Sequence, residues 1–313
     1  MPPESRASLL AAAVAKIAAA PRPPVPWRDG QQIPWNDPAF SERILRVHLD
    51  QATHMASRSR EVIVSHVRWL RQMMREEFGD DPARRRVLDV GCGPGLYCHE
   101  LARHGYRAAG FDFSPAALAH AEHEAAAGKL DCRFFDLDLN RLGEASPAGQ
   151  DAAAPLAAAG PFDAVTFWFG ELHSFPEATV RRFLPRLAAL LAPGGLFVLE
   201  YQPYALYLRE DLQEWRACDS SAFSDRPHLW LQEYHWDEAQ QAEINVHWII
   251  DAATGELSRY AQSSRAYRDR ELVSLFADAG LAKPAFYPPV TGVSERFEFA
   301  MMVTRRGGCG ERT

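Results

Sequence analysis

Residues 87–96 read Val87-Leu88-Asp89-Val90-Gly91-Cys92-Gly93-Pro94-Gly95-Leu96. An apolar run of strand character leads into a turn with three glycines in five positions, and a helical pattern follows. Without a Cβ, the backbone of such a turn lets a ligand approach closely, and the helix N-terminus beyond it offers free N–H groups. A dinucleotide fingerprint spaces its glycines G-x-G-x-x-G and seats a pyrophosphate on that helix. Here the spacing is G-x-G-x-G, with Asp89 two positions before the first glycine. A carboxylate at that point repels phosphate and suits an ammonium group.

Outward from the turn, short apolar strands alternate with amphipathic helices. RRVLDVG is followed by a helix to about His104, then RAAGFDF, a helix over 115–127, DCRFFDLDL, FDAVTFWF, a helix over 177–191 and GLFVLEY. This alternation predicts an α/β fold, a Rossmann-like doubly wound parallel sheet with helices on both faces. The Ala/Gly/Pro-rich stretch GEASPAGQDAAAPLAAAG between the third and fourth of these strands reads as a surface loop. Before the sheet, apolar residues at helical spacing between Ser41 and Phe78 predict two helices. After Tyr201, period-2 alternation in LWLQEYHWDE, AEINVHWIID and LSRYAQSSRAYR predicts an inserted antiparallel set of strands. A helix over 270–279 then leads to a last pair of strands, the C-terminal one reversed. The expected organisation is an Ala/Pro-rich extension over 1–40 acting as a tether or wrapping arm, a helical lid over 41–84, and a main domain over 85–313 whose insert at 202–268 covers the substrate.

With 313 residues, 47% of them hydrophobic, the chain can bury one large core or a core plus a modest second layer. A formal net charge of -7 argues against nucleic acid as a partner, since binding it needs a basic face. Cys92, Cys98, Cys132, Cys218 and Cys309 are odd in number and never spaced C-x-x-C, which predicts neither a disulfide framework nor a zinc site and fits the cytoplasm. Lys16 interrupts the Ala-rich run over 9–20, which reads as a short helix, and no apolar run approaches the roughly 20 residues of a membrane span.

The ordered set of motifs resembles the class I S-adenosylmethionine-dependent methyltransferases. Residues 87–96 are similar to that family's motif I, Phe162-Asp163-Ala164-Val165 to its fourth strand, and Ala192-Pro193-Gly194-Gly195 to the turn before its fifth. The resemblance covers roughly 85–201 and the closing strands. It implies S-adenosylmethionine as cofactor and S-adenosylhomocysteine as product. Asp89 would meet the methionine amino end, and Gly91, Cys92, Gly93 and Gly95 would lie along the ligand. Asp112, about 20 residues past the turn and followed by Phe113, would accept the ribose hydroxyls, a feature a dehydrogenase shares. Asp136-Leu137 resembles the pair that contacts adenine, with Asp138 as an alternative.

Ligands of open α/β sheets sit beyond the carboxyl ends of the strands, which places Trp168 beside the cofactor and Glu171 and His173 at the reaction centre. Methyl transfer from a sulfonium is an in-line displacement, so alignment does most of the work and a base matters only for a protonated nucleophile. Glu171 is the first candidate base and His173 the second; the alternative is that Glu171 caps the following helix or bonds a covering residue. No Asn/Asp-Pro-Pro-aromatic motif of the DNA amino-methyltransferases follows this strand, and the region is more similar to small-molecule enzymes of the glycine and sarcosine N-methyltransferase kind and to bacterial tailoring methyltransferases. His48, Gln51, His54 and Arg58 fall close to one helical face. The resemblance implies that Arg58, with Arg60 behind it, salt-bridges the cofactor's carboxylate, and His54 would face the acceptor; the alternative is a solvated face. The two histidines lack metal-ligand spacing, so no metal is expected. Among the insert's aromatics and their neighbours, Tyr201, His228, Tyr234 and Trp236 are candidate contacts for a planar or cationic small-molecule acceptor, against the alternative that they pack the hairpins. The function expected is methyl transfer to nitrogen, oxygen or an activated carbon. A non-catalytic S-adenosylmethionine-binding protein is the alternative, as is an NAD-dependent oxidoreductase, against which Asp89 and the glycine spacing argue.

Overall fold

The computed structural model describes residues 6–28, 31–51, 55–142, 153–290 and 299–307. His54, Cys309 and much of the low-complexity stretch lie outside them. The elements run α1 (Arg6–Ala18), β1 (Gln31–Gln32), α2 (Pro38–Leu49), α3 (Arg60–Phe78), β2 (Arg86–Val90), α4 (Leu96–Arg103), β3 (Arg107–Asp112) and α5 (Pro115–Gly128). Next come β4 (Cys132–Asp136), α6 (Ala154–Ala159), β5 (Phe162–Phe167), α7 (Glu177–Leu190) and β6 (Leu191–Tyr201). The chain continues through β7 (Leu212–Cys218), β8 (His228–Asp237), β9 (Ala242–Asp251), β10 (Leu257–Arg265), α8 (Asp269–Asp278), β11 (Ala285–Tyr287) and β12 (Ala300–Arg305). They form two units, Met1–Trp35 with Ala205–Ala266, and Asn36–Tyr204 with Tyr267–Thr313.

The larger unit holds a seven-stranded sheet in the order β11-β12-β6-β5-β2-β3-β4. Strands β2 to β6 pair in parallel, while β12 runs antiparallel to β6 and β11 antiparallel to β12. The chain moves outward from β2 through β3 to β4, then crosses back to β5, so the order reverses between β2 and β5. Their carboxyl ends form the crevice where such sheets bind ligands. Alternate residues of each central strand feed opposite faces. Leu88, Val165 and Leu199 join Phe183 and Phe276 in one core, while Val87, Ala164 and Val198 join Val67, Leu70 and Leu101 in the other. This is the doubly wound, helix-covered sheet that the alternation predicts, with the reversed C-terminal strand.

Two helices precede the sheet. Asp37 starts α2 by accepting the Phe40 N–H at 2.8 Å, and Phe40 and Ile44 bury its inner face. Ser41 on that face bonds the Ser114 hydroxyl at 2.7 Å and accepts the Ala116 N–H at 2.8 Å, so α2 supplies the missing cap of α5. His48, Gln51 and Arg58 do not share one helical face: α2 ends at Leu49 and α3 begins at Arg60. The break has a local cause, since Asp50 closes α2 in extended conformation and Ser59 caps α3 in the same conformation.

In the smaller unit, β7 to β10 form an antiparallel meander and β1 adds in parallel to β10, giving the order β1-β10-β9-β8-β7. One face of this sheet carries Ile244, Val246, Trp248 and Ala261, covered by Ile17 of α1 and Ala20 just beyond it. The N-terminal segment and the insert, set apart on sequence grounds, thus make one unit. An antiparallel sheet with an apolar face needs a second layer, and the Ala-rich helix provides it. Among the described residues no helix is long and apolar enough to cross a membrane.

Candidate functional site

The turn after β2 is left-handed at Gly91, Gly93 and Gly95. At Gly95 a Cβ would fall 2.9 Å from both the Ala121 Cβ and the Phe134 ring, so that glycine lets α4 pack on α5 and β4. At Gly93 the neighbour is the His48 imidazole, 3.5 Å from where a Cβ would stand, and nothing lies within 4 Å of the same position at Gly91. The turn is therefore packed below, touched by α2 at its middle, and open at Gly91. Cys92 is buried beneath it, against Gly110 of β3.

Asp112 fixes the turn from the neighbouring strand. Its Oδ1 accepts the N–H groups of Phe113 and Ser114 at 2.7 and 2.9 Å, and its Oδ2 accepts the Gly93 N–H at 2.9 Å. Burial pushes the carboxyl up, and these three donors pull it back. The Leu137 N–H donates to the Asp112 carbonyl at 2.9 Å, which brings Asp136-Leu137 to the same rim; Asp136 is exposed and Leu137 buried. Asp138 is spent on its own turn, its Oδ1 accepting from the backbone N–H and the side-chain Nδ2 of Asn140. Asp89 is buried, and its one hydrogen bond among the described residues comes from the Thr166 hydroxyl at 3.0 Å. Burial, with the nearby Asp112 charge adding to it, lifts the Asp89 carboxyl to about 8.

Beyond β5 the backbone turns sharply, with left-handed Phe169 and Gly170. Trp168 points back into the core, stacked on Tyr97 at 4.7 Å and on His66 at 5.2 Å. Glu171 is half-buried, and among the described residues its carboxylate accepts no hydrogen bond. Burial, reinforced by the Asp112 charge, raises it to about 7. His173 is committed elsewhere: its Nε2 accepts the Gln202 N–H at 3.2 Å, which ties the post-β5 segment to the end of β6. Tyr201 is a core residue, its hydroxyl donating to Asp269 at 3.3 Å.

Arg58, expected from the resemblance to meet the cofactor's carboxylate, is held by Glu200. Its Nε and Nη2 donate to Glu200 Oε1 at 3.0 and 2.6 Å, both side chains are no more than 2% exposed, and the guanidinium lies between the Phe169 and Phe299 rings. Glu200 Oε2 accepts the Phe169 N–H at 2.6 Å. One carboxylate thus joins the segment before α3, the end of β6 and the strained turn after β5. Arg60 opens α3 with its N–H on Gln51 Oε1 at 2.8 Å. Glu200 and His66 are the residues here that the sequence motifs do not mark, and His48, read from the sequence as part of a lid face, lies against the glycine turn. His48 bonds the Ser57 hydroxyl at 2.7 Å and burial lowers it to about 4; His66 bonds the Tyr97 hydroxyl at 2.9 Å and burial lowers it to about 3. The available signal for Glu200 was an acid at the carboxyl end of an otherwise apolar parallel strand.

The remaining candidates lie in the smaller unit. Both nitrogens of His228 serve its own loop, bonding Ser221 Oγ at 2.9 Å and the Arg226 carbonyl at 2.8 Å. The Tyr234 hydroxyl accepts from Gln232 at 2.5 Å and donates to Glu214 at 3.5 Å, and Trp236 Nε1 donates to Glu238 at 2.6 Å.

A family model described as methyltransferase domain matches residues 65–283. Among sequence relatives, the demethylmenaquinone methyltransferase of Thermus thermophilus is 36% identical over 141 residues, 44% of this chain and 56% of that protein. The ubiquinone biosynthesis O-methyltransferase of Paracidovorax citrulli is 40% identical over 112 residues, 36% of this chain and 41% of that protein. The chain spans about half the length of the curated relatives it matches. Among solved structures, the CcbJ methyltransferase of Streptomyces caelestis superposes with a TM-score of 0.60 at 16% identity, over 86% of this chain and 98% of the other. The sugar N-methyltransferase KedS8 of a Streptoalloteichus species gives 0.51 at 20% identity, over 78% and 88%. These likenesses show the fold.

Replacing Arg58 by Met would leave the Glu200 carboxylate buried without its cation, a loss of about 3–5 kcal/mol for a broken buried pair. Burial already raises Glu200, so it protonates readily in the variant, and the destabilisation should shrink as pH falls. Thermal melts of both proteins across pH measure this; equal melting temperatures at neutral pH would mean that the pair contributes no stability.

Proposed function

The chain belongs to the methyltransferase domain family, and we propose that it transfers the methyl group of S-adenosylmethionine to a small-molecule acceptor, with Glu171 as the proton acceptor. The reading is carried by the convergence of Asp89, the open glycine turn, Asp112 and a Glu171 carboxylate lacking a hydrogen-bond partner among the described residues, at the β2/β5 switch point.

The residues fit the cofactor. Asp89 is a buried acid whose one partner among the described residues is a hydroxyl, so an ammonium group would ionise it and satisfy its second oxygen. Three of the four or so lone-pair sites of Asp112 are filled by backbone N–H groups, which leaves room for a ribose hydroxyl on Oδ2. Asp136 and Leu137 border the adenine position. When bound, S-adenosylmethionine supplies an electrophilic methyl on a sulfonium. As the acceptor's nitrogen, oxygen or carbon takes the methyl, Glu171 takes its proton and a neutral thioether departs. With Arg58 on Glu200, the positioning duty in this reading falls to the turn that this pair holds.

One face of the smaller unit's sheet, taken by itself, suits an aromatic or cationic small molecule. Tyr234 stands opposite Asn245, Trp236 opposite Glu243 and Glu214 opposite Gln232 in register, so two carboxylates and two aromatic rings share that face. The five scattered cysteines, none spaced C-x-x-C, favour a reducing, cytoplasmic setting.

Three outcomes are expected. Asp89 titrates at about 8 in the free protein against 3.8 unfolded, so the native state holds the extra proton and its stability falls as pH rises through that window. Binding an ammonium group expels the proton. Affinity for S-adenosylhomocysteine, measured by calorimetry in buffers of different ionisation enthalpy, should strengthen toward pH 8 with proton release, and Asp89→Asn should abolish both effects. Turnover should rise through about pH 7 as Glu171 ionises. Glu171→Gln should remove that limb and slow turnover roughly 10²–10⁴-fold with cofactor affinity kept; an unchanged rate at every pH would sink the base assignment. Trp236→Ala should raise the acceptor KM and leave S-adenosylhomocysteine affinity within a few-fold, whereas equal loss of both would make Trp236 a support of the fold.

A further inference from the structure

Strand β7 is the outer strand of the smaller unit's sheet, paired on one side with β8 over its whole length and without a bulge. All its residues except the half-buried Cys218 are exposed, Trp215 at 71% and Leu212 at 46%. Its outward N–H and C=O groups find no partner among the described residues. Proteins blunt such edges with proline, charged side chains and lysine above all, bulges or a covering element, and the only charges on β7 are Glu214 and Arg216, of opposite sign. The strand LQEWRAC contains neither proline nor lysine.

We propose that β7 is a self-association edge, pairing antiparallel with β7 of a second copy about a two-fold axis at Trp215, so that two sheets of the smaller unit become one. The sequence is complementary to itself in that register alone among its near neighbours. Trp215 meets Trp215 of the second copy, Glu214 meets Arg216 on both sides of the axis, Gln213 meets Ala217, and Leu212 meets Cys218. Opposite charges directly across a ladder stabilise it and like charges destabilise it. A slip of two residues either way sets Glu214 against Glu214 or Arg216 against Arg216. Arg216 is already anchored at this edge, bonding Gln232 Oε1 at 3.1 Å with its guanidinium 3.7 Å over the Trp230 ring, so ordering it for the pair costs little further entropy. The tryptophan pair supplies the cross-strand aromatic contact that such ladders favour. The contact is isologous and closes at two copies.

Light scattering on the full chain at micromolar concentration should give the mass of two chains. Glu214→Arg, which opposes arginine to arginine twice, should give the mass of one, and the double variant Glu214→Arg with Arg216→Glu should regain two. A Trp215→Cys variant under mild oxidation should form a disulfide between position 215 of two chains, mapped by peptide mass spectrometry. Circular dichroism establishes that each variant is folded. A wild-type chain that stays single, a dimer indifferent to Glu214→Arg, or a folded Trp215→Cys variant with no 215–215 link would each overturn the proposal. If the double variant fails to fold, the cross-link decides.

Discussion

One carboxylate governs the geometry of the crevice at the carboxyl ends of β2 and β3. Asp112 takes the N–H of Gly93 from the turn after β2 and those of Phe113 and Ser114 from the turn after its own strand. Without it, the donors of buried Gly93 and Ser114 and of half-buried Phe113 would lack an acceptor, at a cost of up to about 1–3 kcal/mol for each donor that water does not reach. With it, two loops from adjacent parallel strands become one rigid lip. The other acids inherit their properties from that arrangement. The Asp112 charge, confined in a poorly solvated crevice, adds to the burial that keeps both Asp89 and Glu171 protonated well above the ordinary carboxylate range. A crevice whose buried acids gain most by ionising beside a positive partner is suited to a cationic ligand, and it is as poor a place for a pyrophosphate as the glycine spacing suggests.

A second constraint acts from above the strand ends. Glu200 holds Arg58 with one oxygen and the Phe169 N–H with the other, while His173 accepts from Gln202 next to it. The segment that carries Glu171 is thus pinned at both ends. Left-handed Phe169 costs of order 1–3 kcal/mol in backbone strain, and a charge-assisted bond to a buried carboxylate is of the size that offsets it. Glu171 itself is left without such a bond among the described residues, which distinguishes a group free to exchange a proton from groups used to hold the chain.

What the sequence disclosed depended on distance along the chain. Asp89, the glycine turn and Asp112 lie within one strand–turn–helix–strand unit, so their spacing carries the geometry, and the alternation of apolar runs carries the sheet. Glu200 was silent because its partner is 142 residues away and an acid after LFVL reads as the end of a strand. Arg58 and His173 were visible as residue types, but pairing to Glu200 and to a backbone N–H depends on where strands end in space. Trp168 sits where the strand count puts it, yet the rings of Tyr97 and His66 turn its side chain into the core. Similarly, nothing in an Ala-rich helix announces which sheet it will cover.

That last pairing bears on how the chain is made. Arg6 bonds the carbonyl of Ala252, 246 residues later, and the apolar residues at the end of α1 wait for strands of the same remoteness. At the pace of synthesis, roughly 5–20 residues per second, the helix is out of the ribosome for tens of seconds before its sheet exists. An Ala-rich helix with little apolar mass of its own is a safe thing to leave waiting, since it offers few sticky contacts to other nascent chains. The smaller unit closes only after the parallel strands of the larger one have been completed, and the last antiparallel strand follows both.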